Sequence, residues 1–140
     1  MIKKVHHIAF LVKDTERVKE LFGIGLKLPL FKEVVLDSLR IKVTIYRIGE
    51  VLVEFIAPLS EESYAYKYLK EKGEGFFHMA METDALDDDV SALRSVGVEI
   101  PDTVPKEGVD WKIVDMDPKS TLGIYFQLVV SKLGEGSAST

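Results

Sequence analysis

Apolar and polar positions along this chain follow two periods, and the same order of periods runs through twice. Residues 5–12 form a short apolar run of strand character, and residues 51–56 form another. Between them, Asp14 or Thr15 can cap a helix with Val18, Leu21 and Phe22 on one face, ended by Gly23 and Gly25. Residues 27–35 read as extended. Residues 39–48 set Leu39, Ile41, Val43 and Ile45 against Arg40, Lys42, Thr44 and Tyr46, the period of two that a strand requires. Gly49-Glu50 is a tight turn. The second pass predicts a strand over 76–82 and a helix over 87–95, with Val90 and Leu93 inward and Gly97 at its end. An extended stretch over 98–104 follows, then strands over 111–115 and 123–130. Residues 58–75 connect the two passes through a helix from about Glu61 to Lys72, capped by Ser60.

The two passes match in their residues as well as their periods. His7-Ile8-Ala9 returns as His78-Met79-Ala80, and Val18, Leu21 and Gly25 return as Val90, Leu93 and Gly97. A chain that repeats itself once in this way is two copies of one supersecondary unit. The expected fold class is α+β, with two βαβββ modules supplying eight strands. A single domain is expected over residues 1–132. Module one spans about 3–58, the connector helix about 60–73 and module two about 75–131. Residues 133–140 are small and polar after Leu133, and are expected to form a flexible tail.

Alternate residues of a strand share a face. His7 lies with Val5 and Ala9, and His78 with Phe76 and Ala80, so a small residue leaves room beside each imidazole. The last strand of each module carries one polar residue in an apolar run: Glu54 between Val53 and Phe55, and Gln127 between Phe126 and Leu128. Burying such a group is costly unless it has a partner, and a metal ion is one such partner. Two imidazoles, a carboxylate and an amide oxygen make a shell for a divalent ion, with Co, Mn, Ni and Zn all compatible. His7, Glu54, His78 and Gln127 are therefore candidate ligands. His6 must point away from His7 and is expected at the surface.

Composition narrows the field. The net charge of −5 excludes broad nucleic-acid binding, which needs a basic face. There is no cysteine, so thiolate ligands, thiolate nucleophiles and disulfides are out. No apolar run approaches the length of a membrane span, and a cytoplasmic protein is expected. There is no Asn, Gln127 is the only Gln, and Glu and Lys are abundant, a pattern of thermophile proteins.

The His-His-Ile-Ala start, Val-Glu-Phe-Ile-Ala-Pro-Leu at 53–59, Gly-Glu-Gly-Phe-Phe-His-Met-Ala at 73–80 and Asp-Pro-Lys-Ser-Thr-Leu-Gly at 117–123 together resemble the methylmalonyl-CoA epimerases. These belong to the glyoxalase, or vicinal-oxygen-chelate, superfamily. The resemblance runs from about residue 3 to residue 131. It implies paired modules forming a half-open eight-stranded barrel around one divalent metal held by His7, Glu54, His78 and residue 127. It also implies a homodimer, and an acyl-CoA substrate with Lys119 and Ser120 near the coenzyme A portion. Lys106 and Lys112 could add contacts to its phosphates.

The implied reaction is removal of the acidic α-proton and its return to the other face of the enolate. Two departures bear on it. Relatives commonly carry Glu where this chain has Gln127, and an amide cannot act as a base. The strand at 39–48 offers no carboxylate. Glu54 is then one acid/base group, and Tyr125, Lys42 or water is the second. Asp117 also replaces the His common before Pro-Lys-Ser. The alternatives are a glyoxalase-I-type lyase or another metal enzyme on the same scaffold, or a non-catalytic small-molecule-binding relative.

Overall fold

The computed structural model describes residues 1–131 and builds the two expected βαβββ modules. The first contains strand β1 (Ile2–Leu11), helix α1 (Thr15–Val18), and strands β2 (Leu30–Leu36), β3 (Ile41–Ile48) and β4 (Val51–Pro58). Helix α2 (Tyr64–Lys72) leads to the second. There, strand β5 (Gly75–Thr83) and helix α3 (Leu86–Ser95) precede β6 (Lys106–Glu107), β7 (Trp111–Asp115) and β8 (Phe126–Ser131). The strands of the first module are ordered β2-β3-β4-β1 and those of the second β5-β8-β7-β6. The fold class is the α+β one that the repeat predicts. Contacts group residues 7–77 into one compact unit, and residues 1–6 with 78–131 into another. The expected tail at 133–140 lies outside the described residues.

In the unit of residues 7–77, β1 runs parallel to β4 and β4 antiparallel to β3. Phe10 and Val12 share one face with Val53 and Phe55, and there they meet Val18, Phe22 and Tyr46. Burying side chains of this size stabilises the fold by roughly 1.5–3 kcal/mol each. Because odd and even positions alternate, Glu54 is thrown to the opposite face. Asp14 caps α1 by accepting from the Glu16 N–H at 2.8 Å. After Val18 the helix widens into a π-helical turn over Lys19–Gly25, in which the Leu26 N–H donates to the Leu21 carbonyl at 2.9 Å. The wider turn rotates Leu21 off the packed face, where the sequence placed it, and leaves it 48% exposed.

The connector helix starts later than expected. Ser63, not Ser60, accepts from the first turn, at 3.1 Å from the Ala65 N–H. Ser60 instead closes the preceding turn through the Glu62 N–H. Gly73 ends the helix at φ 80°, a conformation that a side chain would strain.

In the other unit β5 runs parallel to β8, and β8 antiparallel to β7. Val90 and Leu93 of α3 pack on Val114 and Leu128, as the helical spacing predicts. The stretch 98–104 is not a strand. It crosses the end of α3 irregularly, with Ile100 buried in that core, and pairing resumes only at Lys106 and Glu107. His6 is the other correction. It does point away from His7, but Trp111 covers that face, with ring centroids 4.6 Å apart and His6 9% exposed. Burial lowers the His6 pKa to about 4, with a smaller push from Lys4.

Candidate metal centre

The repeat delivers each polar residue to its histidine by the same register. On β1 and β4, Ala9 stands opposite Glu54, so Glu54 lies on the face that carries His7. On β5 and β8, Ala80 stands opposite Gln127, so Gln127 lies on the face that carries His78. Both alanines are fully buried and keep their side of the strand clear.

His7 Nε2 lies 3.6 Å from Glu54 Oε2, and both side chains are buried. Burial without a full hydrogen-bond set pushes the Glu54 carboxyl up to about 8. Burial also lowers His78 to about 4, against a smaller opposing pull from Asp115. An imidazole held neutral is the form that coordinates metal. His7 and Glu54 in one unit and His78 in the other are buried residues of the types that ligate a divalent metal ion.

Gln127 is 3% exposed, and its Nε2 donates to Asp115 Oδ1 at 2.8 Å. Its Oε1 is a buried acceptor with no hydrogen-bond partner, and Glu54 Oε2 is another. Buried acceptors of this kind are rare in folded proteins. Two imidazoles, a carboxylate oxygen and an amide oxygen suit a borderline divalent ion. The donor set therefore fits the group that the family resemblance implies.

Asp115 is the residue that sequence reading missed. It closes strand β7 opposite Gln127 and accepts from the Tyr125 hydroxyl at 2.7 Å, while Lys106 forms an ion pair with it. Burial alone would raise its pKa, but the bonds from Lys106, Tyr125 and Gln127 hold it below the ordinary value. The signal in the sequence was its place at the end of a matched strand, paired in register with the one amide.

Tyr125 sits beside His78, with ring centroids 5.1 Å apart, and directs its proton at Asp115. Lys42 lies on the other side of β3 from Ile45, with Nζ 3.8 Å from Glu33 Oε2. Lys119 lies in a short 3₁₀ turn, Pro118–Ser120. The Ser120 hydroxyl accepts from the Glu99 N–H at 2.8 Å and donates to the Asp117 carbonyl, tying that turn to the segment after α3.

The chain belongs to the glyoxalase/bleomycin resistance protein/dioxygenase superfamily, whose model matches residues 6–114. It is 25% identical to the uncharacterised protein YqjC of Bacillus subtilis over 132 residues, which are 94% of each chain. Among solved structures it resembles a hypothetical protein of Bacillus halodurans C-125, at 28% identity and a TM-score of 0.86, over 92% of this chain and 94% of that one. A variant of the Streptomyces coelicolor methylmalonyl-CoA epimerase in complex with 2-nitronate-propionyl-CoA superposes with a TM-score of 0.87. That match covers 96% of this chain and 99% of the other at 24% identity. No helix among the described residues is long and apolar enough to cross a membrane.

Proposed function

We propose that the protein is a metal-dependent isomerase that epimerises methylmalonyl-CoA or a similar 2-substituted acyl-CoA. The observation that carries the reading is the buried pair of His7 and Glu54 in a chain of this superfamily. The fold likeness to an epimerase bound to an acyl-CoA analogue supports the substrate class.

A divalent ion held by His7, Glu54, His78 and the Gln127 carbonyl oxygen would supply Lewis acidity for charge building on a carbonyl oxygen. The remaining work falls to the chain. Glu54 is the one carboxylate in that set. It is the group we assign to exchange of the α-proton. The carrier on the opposite face is water or the Tyr125 hydroxyl. Gln127 has no proton to take up at neutral pH, and serves to bind rather than to transfer. Lys119, exposed on its turn, is the residue we assign to the coenzyme A phosphates, with Ser120 shaping that turn.

The test is exchange of the α-proton. Purified protein is incubated with methylmalonyl-CoA in D₂O, once with Co(II) and once with chelator. Deuterium should enter the α-carbon only with metal, and Glu54→Gln should abolish it. No metal-dependent uptake by the wild-type protein would sink the epimerase reading.

A further inference from the structure

We infer that Asp115 is a positioning residue that fixes the Gln127 amide so that its carbonyl oxygen, not its NH₂ group, is the end offered to a divalent metal. The inference rests on the metal reading above and deepens it.

The two ends of a glutamine amide have nearly the same shape and differ only in the hydrogen bonds they can make. One end donates and cannot ligate, so a metal-binding Gln needs something that decides which end points where. Asp115 has that property. Its ionised carboxylate accepts only, and it faces Gln127 in register across β7 and β8. Oδ1 receives both Gln127 Nε2 at 2.8 Å and the Tyr125 hydroxyl at 2.7 Å, while Oδ2 is paired with Lys106. The flipped amide would set Oε1 against a carboxylate oxygen with no proton between them. The unflipped amide leaves Oε1 buried and without a hydrogen bond, as observed.

The other half of the repeat is the control. Glu54 occupies the position equivalent to Gln127, and its register partner on β3 is Ile45, which is apolar and fully buried. A carboxylate has two equivalent oxygens and needs no neighbour to choose between them. The acceptor stands beside the amide and the apolar residue beside the carboxylate.

The composition makes the test direct. With no Asn and Gln127 as the only Gln, a ¹H–¹⁵N spectrum of the untagged protein contains a single side-chain carboxamide NH₂ pair. In metal-free wild type that pair reports the bond to Asp115. Asp115→Asn keeps the shape and lets either end of the amide face it. It brings an NH₂ pair of its own, so the Gln127 pair is followed by selective ¹⁵N-glutamine labelling. That pair should move, and Co(II) binding, measured by calorimetry, should weaken by about 10–100-fold, the usual loss when an orienting partner is removed.

Should that variant fold poorly, Asp115→Asn with Gln127→Glu decides the matter. The new amide donates to the new carboxylate, and most of the lost affinity should return. Gln127→Glu alone adds a charge to the ligand set, yet should bind no more tightly than wild type, because two carboxylates then face each other. Asp115→Asn with an unmoved Gln127 NH₂ pair and unchanged Co(II) affinity would overturn the positioning role while leaving the metal reading intact. Absence of Co(II) binding by the wild type would overturn the metal reading, and the role of Asp115 with it.

Discussion

Replacing Glu54 by Gln should make the metal-free protein more stable at alkaline pH and less able to gain from metal. Burial raises the Glu54 pKa from 4.5 to about 8. A group raised in the folded state contributes stability that is fully present below its unfolded pKa and is lost as pH rises through its folded pKa. The window is therefore pH 4.5 to 8. A shift of one unit corresponds to 1.36 kcal/mol, so ionised Glu54 costs the metal-free fold up to about 5 kcal/mol above that window. His7 Nε2 lies 3.6 Å away and offsets part of this if it takes up a proton. A change of that size moves the melting temperature on the order of 10–20 °C in a domain of this length.

The assay is urea or thermal unfolding of chelator-treated protein between pH 5 and 9. Wild type should lose stability steadily across the range, and Glu54→Gln should lose much less. The two should be close at pH 5 and separate at pH 9, with the variant on top. Saturating Co(II) or Zn(II) should then close about half of the gap at pH 8, since an ion present at 100 times its Kd adds about 2.7 kcal/mol to whichever protein binds it. Parallel curves for the two metal-free proteins from pH 5 to 9 would refute the claim that Glu54 is a buried carboxyl waiting for a cation.

Three further outcomes follow from the fold. His6, lowered to about 4 behind Trp111, contributes stability that is present above pH 6.5 and is lost as pH falls towards 4, by up to about 3 kcal/mol. His6→Phe should flatten the acid limb of a stability–pH curve, and an unchanged slope would return His6 to the surface. Ser63→Ala should cost about 1 kcal/mol in urea unfolding, because it removes the acceptor of the Ala65 N–H, while Ser60→Ala should cost less. Ala80→Val adds volume to a fully buried position opposite Gln127 and should cost 1–3 kcal/mol, with weakened Co(II) uptake in calorimetry.

Periodicity carried most of the architecture and failed where a local hydrogen bond outvoted it. The strand at 111–115 and the inward face of α3 appear as the pattern predicts, since each has one clear apolar face. Ser60 and Ser63 are equally good caps on paper, and the choice falls to whichever hydroxyl reaches an N–H in the first helical turn. Leu21 fits a period of 3.6, but the turn after Val18 is wider than 3.6, and nothing in the apolar spacing reveals that. Residues 98–104 are apolar enough for a strand. Ile100 reaches the α3 core without ladder bonds, so burial and pairing come apart there.

The site was legible for a different reason, and incompletely. A repeat constrains positions in pairs, so His7 with His78 and Glu54 with Gln127 could be matched before any strand was placed. Register then does what the spacing implies, setting Ala9 against Glu54 and Ala80 against Gln127. Asp115 stayed hidden because the repeat is broken at its position. Its counterpart opposite Glu54 is Ile45, so no matched pair drew attention to it. The break has a physical sense. A duplicated site with a carboxylate in both halves would place two negative charges in a buried space, whereas one carboxylate and one amide halve that charge at the ligand positions. The amide then needs an acceptor beside it, and the negative charge that Asp115 brings is balanced by Lys106 on the side away from Gln127. The single glutamine and the unmatched aspartate are two consequences of one departure from symmetry.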